Sequence, residues 1–203
     1  MNPRLLALAV AIVALPVAIM ARDAPVTLKD PSAFAGISNQ DARSAALFRE
    51  MGKVIQSPRC VNCHPRTDRP LQGDDMHPHN PLVVRGQYNF GASGMECTTC
   101  HGRDNVDFAN GERSIPGNRK WALAPISMAW EGKSLAEICA QIKDPARNGG
   151  KTLEKLIDHN TNDVLVGWGW NPGRGRKPAP GTQAQFGALT KAWVESGAKC
   201  PAA

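Results

Sequence analysis

Residues 57–65 read SPRCVNCHP and residues 94–102 read GMECTTCHG, so the pattern Cys-x-x-Cys-His occurs twice, at Cys60-Cys63-His64 and at Cys97-Cys100-His101. Two thiols at this spacing have ordinary uses. Each pair can close on itself as a disulfide, or the two pairs together can surround a zinc ion. Neither use gives a reason for a histidine directly after each pair.

Covalent haem attachment does. Thiols two residues apart each add to one vinyl group of a porphyrin, and the adjoining imidazole then binds the iron from the same side. On this pattern the sequence resembles bacterial dihaem c-type cytochromes. The resemblance implies two covalently attached c-type haems, the first on Cys60 and Cys63 with His64 as proximal iron ligand, the second on Cys97 and Cys100 with His101. The segments LAPISMAWEGKSLAEICAQIKDPARNGG (123–150) and GWGWNPG (167–173) are also similar to dihaem partner subunits of molybdenum-containing aldehyde or isoquinoline oxidoreductases.

The rest of the chain is consistent with an exported protein. Its first residues, MNPRLLALAVAIVALPVAIMARDAP, place Arg4 ahead of an apolar run that ends at Ala21, the form of a signal peptide over residues 1–21. This predicts a periplasmic protein, with membrane association only if the segment is retained as a tether. Pro16 and the short length of the run argue against a stable span. The remainder, 22–203, is read as one dihaem cytochrome c domain, with haem 1 around 58–80, haem 2 around 95–130 and a C-terminal helical part over 134–203.

Composition sets the fold class. Of 203 residues, 19 are Gly and 16 are Pro, which predicts a large share of irregular loop, while only 5% are aromatic, which leaves little material for a core. Two flat apolar macrocycles would supply what the side chains do not. The expected fold is therefore mainly α with much loop, cytochrome c-like helices wrapped around two covalently bound haems. Helices are expected over about 39–56, from Ser134 to the break at Pro145, from a Thr152 cap to about Asn160, and from a Thr182 cap to Gly197. The segment VGWGWNPGRGRKPAPG (166–181) reads as turns whose Trp168 and Trp170 lie on something flat.

Net charge is +6, or +5 once Arg4 leaves with residues 1–21, and only RGRK (174–177) concentrates it. Without interleaved aromatics this knot does not support nucleic-acid binding; it reads as a solvated loop or a docking patch for an acidic partner. Cys139 and Cys200, outside the motifs, are read as a disulfide, the sharper alternative making one of them an iron ligand.

Whether an iron carries electrons or does chemistry depends on its sixth position. The distal candidates are His77 and His79 in DDMHPHNP, Met128 in WALAPISMAW, and His159 in reserve. Pro78 favours an extended His77, so that one histidine of the pair can face an iron and the other a propionate. The expected function is periplasmic electron transfer from a dehydrogenase, such as a molybdenum-containing one, to a terminal oxidase or small cytochrome. The rival reading is a dihaem enzyme, a peroxidase or a thiosulfate-type oxidoreductase, with one open or labile site.

Overall fold

The computed structural model of the chain describes residues 26–202; the expected signal segment 1–21 lies outside them. Helix makes up 38% and strand 7%, so more than half of the chain is loop, as the glycine and proline content requires.

Helix α1, Gln40–Ile55, starts where the Asn39 side chain accepts the backbone N–H of Ala42. It buries Leu47, Phe48, Met51, Val54 and Ile55, the i, i+1, i+4, i+7, i+8 stripe of an amphipathic helix. Ser57, held extended by the proline that follows it, ends this run, and Pro58 opens the single turn α2, Pro58–Val61. Helix α3, Leu135–Lys143, begins with a reciprocal cap between Ser134 and Glu137. Helix α4, Leu153–Asn162, is capped by Thr152.

Here the structure departs from the expected run of turns. Asp163 accepts from the N–H groups of Leu165 and Val166 and starts a further short helix, α5, Val164–Trp168, which carries Trp168. An aspartate cap four residues before a glycine-rich stretch is sufficient to start a helical turn there. The last helix, α6, Gln183–Glu195, has a Thr182–Gln185 capping box and ends near Gly197, whose φ of 100° suits glycine.

These helices enclose a core of apolar side chains. Trp193, Phe48, Met51, Leu189 and Ile138 are fully buried, and the rings of Phe48 and Trp193 lie 5.0 Å apart. The end of the chain is tied into the same core. Cys200 is bonded to the buried Cys139 with a Cα–Cα distance of 5.6 Å, Lys199 donates its N–H to Ser44 Oγ, and Trp193 Nε1 donates to the Lys199 carbonyl.

Residues 64–133 are different in kind. Their regular structure is two single 3-10 turns, Cys97–Thr99 and Ile126–Met128, and three two-stranded antiparallel hairpins, β1 (Leu71–Gln72) with β2 (His77–Pro78), β3 (Gly91–Ala92) with β4 (Met95–Glu96), and β5 (Val106–Asp107) with β6 (Ser114–Ile115). Of this half only Met128 enters the main buried cluster. Helices α1, α3, α4 and α6 thus share one apolar cluster around Trp193 and Phe48, to which the loop half contributes little. Among the described residues no helix is long and apolar enough to cross a membrane.

Removing the largest of these side chains, Trp193→Ala, is expected to cost about 3–5 kcal/mol, read as a lower urea midpoint. A loss below about 1 kcal/mol would show that the helical half does not carry the stability.

Candidate functional site

Both Cys-x-x-Cys-His stretches fold into one tight turn. In the first, the N–H of Cys63 meets the Cys60 carbonyl and that of His64 the Val61 carbonyl; in the second, the N–H groups of Cys100 and His101 both meet the Cys97 carbonyl. A helical turn puts positions i, i+3 and i+4 on one side. The two thiols and the imidazole of each motif therefore share a face.

All four motif cysteines are free thiols. Burial pushes the Cys60 thiol up to about 12 and the Cys63 thiol up to about 11, and it raises Cys97 as well. These are neutral S–H groups at pH 7 in the cofactor-free chain. Among the described residues no group of three or more Cys, His, Asp or Glu side chains is gathered closely enough to hold a metal ion. A haem asks for no such group, since its own ring supplies four of the ligands.

The two histidines are oriented alike. His64 Nδ1 lies 2.7 Å from the Met128 carbonyl oxygen, and His101 Nδ1 lies 2.7 Å from the Pro116 carbonyl oxygen. A carbonyl only accepts, so each Nδ1 carries the proton and each Nε2 keeps its lone pair. Burial, the largest influence on both rings, holds them neutral: His64 is lowered to about 4, and His101 is also lowered. Each ring is backed by a tryptophan. Trp130 stacks on His64 at 3.5 Å and 8°, Trp121 on His101 at 4.6 Å and 20°.

Long loops carry these partners into place. The N–H groups of Trp130 and Glu131 both donate to the His64 carbonyl, and that of Ala124 donates to the Cys63 carbonyl. Arg85, only 5% exposed, donates to the carbonyls of Ala124 and Thr67 and to Asn89 Oδ1, joining three parts of the loop half. At the second motif, Asn105 Oδ1 accepts from Gly117 N and from Trp168 Nε1, and Trp168 packs edge-on against Trp121 at 4.9 Å. The two motifs are neighbours, close enough that Cys97 raises Cys63 electrostatically.

The distal candidates separate clearly. Met128 is at the first motif, where its carbonyl is the partner of His64 and its side chain is buried in the helical cluster. His77 has both ring nitrogens engaged, Nδ1 with Asp75 Oδ1 at 2.6 Å and Nε2 with Gln72 Nε2 at 2.9 Å. His79 stands 6.0 Å, ring centre to ring centre, from His101. His159, on α4, lies near enough to lower the basicity of His64, with its own Nδ1 3.9 Å from Asp163. Cys139 and Cys200 are joined to each other and have no sulfur to offer an iron.

Other expectations are redistributed. Trp168 belongs to the second motif through Trp121, whereas Trp170 packs on Phe186 and donates Nε1 to the Pro180 carbonyl. The RGRK loop stays at the surface, as a solvated loop would, but its arginines have partners. Arg174 pairs with Asp107 at 2.8 Å, and Arg176 donates to the Ser114 and Pro172 carbonyls, fastening this loop to the β5–β6 hairpin. The chain matches no protein-family model, no curated protein and no solved structure.

Because burial lowers His64, His101 and His159 below the ordinary 6.5, the folded haem-free chain takes up protons less readily than the unfolded one. Its stability is therefore full above pH 6.5 and falls as the pH drops towards about 4. Urea midpoints at pH 7 and pH 5 should show the lower value at pH 5; equal midpoints would contradict the burial of these rings.

Proposed function

We propose that the protein is an exported electron-transfer cytochrome with two covalently attached c-type haems, held at Cys60 and Cys63 with His64 and at Cys97 and Cys100 with His101. The observation that carries this reading is the pair of motif imidazoles, each neutral, each fixed through Nδ1 to a backbone carbonyl, each with its Nε2 lone pair free. A carbonyl that holds the proton on Nδ1 leaves Nε2 ready to bind a metal, which is what a metal-binding histidine needs.

The thiols fit as well. Each can add its S–H across a vinyl double bond, sulfur to one carbon and hydrogen to the other, with no oxidant consumed. Apolar surface is available for a macrocycle to cover: Tyr88, Phe90, Met95, Val106 and Phe108, on both sides of the second motif in sequence, are between 46% and 70% exposed. When bound, the haem iron takes up and releases one electron. The chain's part is to hold the two sites side by side and to dress each proximal imidazole with a carbonyl and a tryptophan.

Delivery to the periplasm rests on residues 1–21, and the partners are redox proteins: a donor dehydrogenase, molybdenum-containing by the resemblance of 123–150 and 167–173, and a terminal oxidase or small cytochrome as acceptor. No nucleic-acid role is assigned, since the basic knot has no interleaved aromatics. The rival dihaem enzyme loses one of its supports, the disulfide having taken both cysteines offered as unusual ligands.

Expression in cells able to attach haem, followed by intact mass, is expected to show two haems per chain. Replacing Cys60 and Cys63 by Ala should remove one, and replacing Cys97 and Cys100 the other. A colourless protein with four titratable thiols, or one that carries zinc, would refute the proposal.

A further inference from the structure

We infer that His79 is the second protein ligand at the His101 site, facing that ring from the far side of the iron. This rests on the haem reading above and deepens it. It also crosses the chain over, because His79 belongs to the loop that follows the first motif yet serves the second.

The spacing is the first support. A metal bound by two opposed imidazoles sits about 2 Å from each nitrogen, and each ring centre lies about 1 Å beyond its nitrogen, so the two centres stand about 6 Å apart. The ring centres of His79 and His101 are 6.0 Å apart, with their planes at 69°. Two rings that share a metal on a common axis are free to rotate about it, so this angle is compatible with joint ligation.

The hydrogen bonds are the second. His79 Nδ1 lies 2.9 Å from the Pro81 carbonyl oxygen and therefore carries the proton, as His101 Nδ1 does against Pro116. Both rings thus have their lone pair on Nε2. The backbone of His79 is fixed on both sides: its N–H donates to the Pro70 carbonyl, and its own carbonyl accepts from Arg69 Nε at 3.0 Å and Arg69 Nη2 at 2.6 Å. A loop histidine without a partner in view needs none of this.

The competitors are placed elsewhere. His77 has no free nitrogen, Met128 is committed at the first motif, and His159 lies by His64. An iron with two imidazoles and no exchangeable position passes electrons and does not bind small molecules, so the second site is a carrier site.

The test uses the full-length protein loaded with haem, its two haems per chain confirmed by mass. With His79→Ala, haem content should stay at two while about half of the haem becomes high-spin and binds carbon monoxide; added imidazole should restore the low-spin spectrum, and His77→Ala should change nothing. His79→Met, which keeps a ligand and guards against misfolding of the alanine variant, should gain a thioether-to-iron charge-transfer band in the far red. Two attached haems with the wild-type spectrum in both His79 variants would overturn the ligand assignment alone. A chain that takes up no haem would overturn the haem reading and this inference with it.

Discussion

A neutral imidazole has one proton for two nitrogens, and much of the loop half can be understood from where that proton is placed. At His64 and His101 it is given to a backbone carbonyl through Nδ1, those of Met128 and Pro116. The consequence is a lone pair on Nε2 in both rings, and burial keeps it there by disfavouring a second proton. The short helical turns then place two thiols on the side of the same ring. A change that moved either carbonyl away would release the ring to the other tautomer, and the site would lose its one fixed direction.

The chain divides its labour accordingly. Helices α1, α3, α4 and α6 make a core around Trp193 and Phe48, closed by the Cys139–Cys200 bond, and this half stands on ordinary apolar burial. Residues 64–133 have little buried apolar surface of their own. They are held by hydrogen bonds, among which those of Arg85 tie Asn89 to Ala124 and those of Asn105 tie Gly117 to Trp168. The helical half is a fixed base, and α2 grows directly out of it. The loop half is arranged around two small turns that carry the motif thiols and imidazoles, and it exposes several aromatic and aliphatic side chains, the surface that the proposed haems would cover.

What was legible in the sequence were the features decided within a few residues. Ser134, Thr152 and Thr182 cap the helices they were expected to cap, because a cap depends only on a side chain and the N–H groups two or three positions on. The extended His77 before Pro78 was local in the same sense. The helix α5 was missed because GWGW reads as turns and Asp163 was not recognised as its cap. The arginines of RGRK are at the surface as expected, but their partners, Asp107 and Ser114, could not be named because they lie far off in sequence. Least legible were the carbonyls of Met128 and Pro116, since every residue has a carbonyl and no composition marks the one that will matter. For the same reason Met128 drew notice for its sulfur, while the structure uses its backbone.

The most direct test is the tautomer of these rings in the haem-free chain, read by NMR of histidine labelled with nitrogen-15. His64 and His101 should both carry their proton on Nδ1 at neutral pH, the reverse of the preference of a free imidazole side chain, and Nε2 should show the shift of an unprotonated nitrogen. Protons on Nε2 in both rings would mean that neither carbonyl holds its histidine, and the arrangement would no longer be one that presents ligands to an iron.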